Sequence, residues 1–196
     1  FWTIPVVLVV VFVLLGKFFG YAAKVITRAA LKVGRKSLKE ELLYAFHVIF
    51  HPFDGFWDLK HEKRGSMRSA SVILITTILV YFYNSIGKGY IFSPYTSYSD
   101  IFGAVTAVLA PLLLWVVANW CLTTLFEGEG SMRDIFIASC YCLTPLILLI
   151  FPSTLLSHVL AANESGILTL MSSFAYLWLG ILLVLGMMVT HDYSVG

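Results

Sequence analysis

Five apolar stretches limit what this chain can fold into. They run over residues 4–21, 69–86, 101–126, 134–151 and 167–190. Each is near the ~20 residues with which an α-helix crosses a hydrocarbon core of about 30 Å. Such stretches cannot all be hidden in a water-soluble core, because only 12% of the residues are charged, against about 25% in soluble domains. The alternating apolar and polar residues of a barrel strand are absent, which leaves the helix as the form that satisfies its own backbone groups in lipid. The expected fold is all-α: a polytopic transmembrane helix bundle with five spans and a cytoplasmic amphipathic juxtamembrane segment.

Charge gives the bundle an orientation. Of the 13 Lys and Arg residues, Lys24, Arg28, Lys32, Arg35, Lys36, Lys39, Lys60, Lys63, Arg64 and Arg68 fall between the first and second stretches. Basic residues collect on the cytoplasmic side, so this connection faces in. The connections around Lys88 and Glu164 then face out, while "FEGEGSMRD" and the terminal "HDYSVG" face in. The opening run has its positive charges after the apolar residues rather than before them, which reads as a membrane anchor and not as a signal peptide. The first residue is Phe1, which reads as a piece of a longer polypeptide.

The phrase Gly-Ser-Met-Arg occurs at residues 65–68 and again at 130–133. Both copies stand on the inward side, directly before an outward-going stretch. Physically the phrase is a helix start: glycine turns the chain, serine caps an exposed N–H, and arginine sits at headgroup level. The spacing suggests a two-helix unit of about 65 residues used twice, with residues 66–126 superposing on 131–190 about an axis near the membrane normal.

Between the first two stretches, Lys24, Arg28, Lys32 and Lys36 recur every four residues with apolar residues between them. This is the pattern of a basic amphipathic helix lying against anionic lipid. A second amphipathic stretch, "KEELLYAFHVIFHPF", ends at Pro52, which disfavours helix in the residue before it. The chain thus divides into an N-terminal transmembrane anchor (1–23), a basic amphipathic cytoplasmic segment (24–68) and a multi-span membrane domain (69–196).

Searching for chemistry gives little. His61-Glu62 begins like a zinc-binding H-E-x-x-H helix, but Gly65 stands where the second histidine is required. His47, His51, Asp54, Asp58 and His61 are close in sequence, yet they are ordinary juxtamembrane residues, and no metal, cofactor or nucleic acid is expected. Cys121, Cys140 and Cys142 fit neither a redox pair nor a zinc pattern and read as small packing residues. Asn119 is the most conspicuous polar residue within a span and is expected to hydrogen-bond across helices. Pro111 and Pro145 are candidates for helix kinks.

The phrases "HPFDGFWDLKHEKRGSMR", "NWCLTTLFEGEGSMRDIFIASCYCLTP" and "THDYSVG" resemble the bacterial branch of the Yip family, whose name comes from eukaryotic proteins that interact with Ypt/Rab GTPases. The resemblance covers about residues 47–196. It rests on Pro52, Gly55 and Phe56 before the membrane, Gly65 and Gly130 in the inward loops, and a Tyr-x-x-x-Pro step from Tyr141 to Pro145. The family's membrane domain has five spans after the juxtamembrane segment, and this chain stops where the last would begin. Eukaryotic members carry an Asp-Leu-Tyr-Gly-Pro phrase where this chain has "PFDGFWDL", so Rab binding is not carried over. The resemblance implies a non-enzymatic membrane protein whose expected partner is a cytoplasmic or membrane protein, such as a sugar ABC transporter component.

The leading functional expectation is a scaffold or accessory subunit in a bacterial plasma membrane. Its inward face would offer Asp54, Trp57, Arg68, Glu127, Glu129 and Arg133 to a partner, with Lys24, Arg28, Lys32 and Lys36 on anionic lipid. The alternative is a small transporter or channel component with a polar path past Asn119.

Overall fold

The structure, a computed structural model, describes residues 37–92, 101–126 and 130–191, together with single positions before residue 25. Most of the first apolar stretch, most of the basic repeat (Arg28, Lys32 and Lys36) and the loop residues Glu127 and Glu129 lie outside the described residues. Among the described residues the regular elements are all helices, without strands. The helices are α1 (Leu38–Phe50), α2 (Pro52–His61), α3 (Met67–Ile86), α4 (Ile101–Phe126), α5 (Met132–Cys142), α6 (Thr144–Leu156) and α7 (Ser165–Thr190). A short 3₁₀ turn, Ala162–Glu164, precedes α7. Four described stretches are long and apolar enough to cross a membrane: Met67–Ile86, Ile101–Thr123, Met132–Leu156 and Ala162–Thr190.

Local sequence sets the helix boundaries. Glu40 reaches back to accept a bond from the Ser37 N–H (3.1 Å), starting α1. Pro52 forces the break between α1 and α2 and then occupies the first turn of α2, where a missing N–H costs nothing. Both Gly-Ser-Met-Arg copies act as helix starts. Ser66 accepts from the Ser69 N–H (3.3 Å) and Ser131 from the Asp134 N–H (3.2 Å), so α3 and α5 both begin at the methionine. The helices that follow, α4 and α7, are each 26 residues long.

The helices that begin at the two Gly-Ser-Met-Arg copies differ in continuity. α3 runs unbroken, whereas its counterpart is split into α5 and α6 at Leu143. Pro145 explains the split: it has no N–H for the carbonyl of Tyr141, four residues back, and its ring crowds that carbonyl. The Thr144 hydroxyl takes the freed acceptor instead, at 2.7 Å. Pro145 therefore begins a new helix rather than kinking an old one, while Pro111 stays inside α4.

α5 and α6 form the centre of the bundle, with Cys140, Tyr141, Cys142 and Leu146 buried. α4 presents one stripe to the bundle (Ala104, Val108, Leu112 and Val116), and its other face, including Phe102 and Leu114, is exposed and apolar. This is the arrangement expected where lipid replaces water. Cys121 departs from its expected packing role, since it is exposed.

Candidate functional site

The α1–α2 hairpin is closed by contact between backbones: a Cβ on Gly55 would come within 2.8 Å of the Val48 Cα. The hairpin then docks on the ends of the membrane helices. Phe56 is 1% exposed and lies on Gly186 of α7, where an added Cβ would stand 3.0 Å from its ring. Burying such a ring stabilises by roughly 1.5–3 kcal/mol. Gly65 is equally confined, with Leu59, Ile137 and Tyr141 all inside 3.3 Å of where a Cβ would be.

A polar joint lies at the middle of this docking. The Tyr141 hydroxyl is 2.9 Å from both the Ser69 Oγ and the Glu41 carbonyl oxygen, towards which it donates. Ser69 Oγ also accepts from the Ser66 N–H (3.0 Å), and the Ser66 hydroxyl donates to the Glu41 carboxylate. One tyrosine on α5 thus ties α1 to the first Gly-Ser-Met-Arg start. A second polar set stiffens the hairpin: Tyr44 donates to Asp58 (2.7 Å), and Arg64 pairs with Asp58 (3.3 Å) and Glu62 (2.5 Å). Burial, reinforced by the bond to Asp58, pushes the Tyr44 hydroxyl well above its ordinary pKa. Between α2 and α3 the chain turns through Lys63, at φ 49°.

The second Gly-Ser-Met-Arg start packs differently. Gly130 is buried against His191 at the end of α7, where a Cβ would stand 2.8 Å from the imidazole Nδ1. Burial, then the charge of Lys60, lowers the pKa of His191. Burial and the neighbouring His51 do the same for His47.

The predicted site residues therefore fall into two groups. Gly55, Phe56, Gly65, Gly130 and Tyr141 are buried or closely packed joints of the fold, and Pro52 and Pro145 set helix starts. Asp54, Trp57, Arg68 and Arg133 are all exposed, with Trp57 stacked on His61 at 4.6 Å. Lys24 is exposed, while Arg28, Lys32, Lys36, Glu127 and Glu129 are outside the described residues. Asn119 does not bond across helices as expected. Its Nδ2 donates to the Trp115 carbonyl of its own helix (2.8 Å), beside a cavity of only about 10 Å³. Glu41 and Ser69 were not singled out in the sequence, although Ser69 stands three residues after the Ser66 cap and so belongs to the helix-start signal.

The Yip1 domain matches residues 46–196. The chain belongs to the Yip1 family. No curated protein and no solved structure matches it. The Yip1 match begins within α1 and takes in the whole docked hairpin, so for this family member the juxtamembrane helices and the spans share one core.

Proposed function

We propose that this Yip1-family membrane protein is a non-enzymatic scaffold or accessory subunit that holds a protein partner at its inward face. The observation that carries the reading is the contrast between the two faces of the α1–α2 hairpin. One face is locked to the bundle through Phe56 and the Tyr141 joint, while the other leaves Phe53, Asp54 and Trp57 exposed, together with Arg68 and Arg133 at the helix starts. Exposed aromatic and charged groups on a rigid support are what a docking surface requires, because little ordering entropy remains to be lost on binding. In this reading Glu127 and Glu129, which precede Arg133 in the sequence by six and four residues, also serve the partner.

The concentration of basic residues between 24 and 68 supports a cytoplasmic location for that face in a bacterial plasma membrane. A fifth span over residues 4–21 would anchor the chain, with Lys24, Arg28, Lys32 and Lys36 resting on anionic lipid. A sugar ABC transporter component is the partner class to examine first. A solute path past Asn119 draws little support, because the space there holds about one water.

Charge reversal tests the surface. The double variant Arg68→Glu/Arg133→Glu should lose proteins that co-purify with the full chain from native membranes, while membrane insertion and monodispersity in detergent are unchanged. Undiminished co-purification would reject the docking role.

A further inference from the structure

Three helices change character at one height. On α7, Leu183 and Leu179 give way at Tyr176 to Ser172, Thr169 and Ser165. On α3 the change falls at Tyr81, beyond which come Asn84 and, just past the end of the helix, Lys88. On α6, Leu146 is followed by Ser153 and Ser157. The tyrosines mark the level, since their hydroxyls are hydrogen-bonded at 2.7 Å. The α7 series follows one side of its helix at spacings of three or four residues, so α7 turns both an apolar and a polar half towards its neighbours.

A partly open chamber lies at each level. The apolar one, about 310 Å³, lies among α3, α4, α6 and α7 and is walled by Val108, Pro111, Leu112, Trp115, Leu146 and Leu183. The more polar one, about 370 Å³, lies towards the end of the bundle remote from α1–α2 and mixes hydroxyls and the Asn84 amide with Phe92 and Leu168, Lys88 being the charged group among its described lining residues. Tyr176 lines both. The polar chamber has a fixed frame: Thr154 donates to Asn84 (3.0 Å), and the Gly89 N–H donates to Ser157 Oγ (2.9 Å). Gly89 is held so close to the Ser157 carbonyl that a Cβ would stand 2.4 Å from its oxygen, which fixes the backbone next to Lys88.

The contents of the two chambers should differ. An apolar cavity of roughly 150 Å³ stays dry and accepts a benzene-sized guest, so the apolar chamber, about twice that, has room for roughly a dozen carbons. Left empty, its walls would forgo dispersion contacts. In a membrane the adjoining apolar molecule is a lipid chain. In the other chamber the hydroxyls of Ser157, Thr169 and Ser172 donate to backbone carbonyls, so the group suited to a phosphate ester is the ammonium of Lys88, with its three donors.

We propose that the two chambers form one site for an anionic phospholipid, with an acyl chain in the apolar chamber and the phosphate-bearing headgroup against Lys88. The ligand crosses from one chamber to the other at the Tyr81–Tyr176 pair. The site is at the opposite end of the bundle from the docking face, and neither reading depends on the other.

Native mass spectrometry of the full chain, supplied with equal amounts of phosphatidylglycerol and phosphatidylcholine, tests this. One phospholipid should be retained per chain, with phosphatidylglycerol favoured by about fivefold, the effect of one basic side chain near an anionic lipid. Lys88→Gln should bring that ratio close to one, and Lys88→Arg should keep it. Leu146→Trp and, as a smaller filling of the same chamber, Ala107→Phe should release the lipid from monodisperse protein. Failure of the wild-type chain to retain lipid would overturn the proposal. So would equal retention in the monodisperse filled variants, which is the behaviour of surrounding bilayer lipid only, or an unchanged ratio in Lys88→Gln.

Discussion

Tyr141→Phe isolates the polar joint between the hairpin and the bundle. The side chain is 0% exposed, so its ring stays packed and only the hydroxyl is lost. Ser69 Oγ keeps the Ser66 N–H at 3.0 Å and still donates to the Ser66 carbonyl at 2.9 Å. The Glu41 carbonyl remains within α1. Because neither partner is stranded, the loss should be close to that of one net hydrogen bond, about 1–1.5 kcal/mol, rather than the full cost of a buried unsatisfied group. At roughly 2–4 °C per kcal/mol for a chain of this size, the unfolding midpoint in detergent should fall by about 2–6 °C. The loss belongs to hairpin docking, so proteolysis between α2 and α3 should accelerate before the spans themselves unfold. Ser69→Ala provides the second arm of a double-mutant cycle, with an expected coupling of about 0.5–1 kcal/mol. Strictly additive effects, or a Tyr141→Phe variant as resistant to protease as the parent, would refute the joint.

The lowered pKa values of His47 and His191 make the fold sensitive to acid. The unfolded chain takes up these protons near pH 6.5 while the folded chain resists them, so stability is fully present above that pH and declines below it. Thermal midpoints between pH 7.5 and 5.5 should fall less in a His47→Gln/His191→Gln variant than in the parent, and equal slopes would contradict this. Orientation can be read by impermeant thiol labelling in a background where Cys121, Cys140 and Cys142 are replaced. Lys88→Cys and Glu164→Cys should react from outside and Lys36→Cys and Glu129→Cys should not; external labelling of Lys36→Cys would reverse the topology.

The sequence by itself determined the described spans and their starts. A bilayer demands a helix of fixed length and apolar composition, and both demands are visible residue by residue. The two serine caps and the break at Pro145 are local in the same way, since each involves backbone groups within four residues. Which face of a span points inward was settled by tertiary structure alone. Around Val108 and Leu112 α4 is apolar on every side, so these two differ from Leu113 and Leu114 only in what packs against them. Asn119 illustrates the same limit: its composition allowed a bond across helices, but the geometry turned it to its own backbone. The joint from Tyr141 to Glu41 spans 100 residues, and the meeting of Tyr81 with Tyr176 spans 95. No periodicity records such separations, because they are fixed only when whole helices pack side by side.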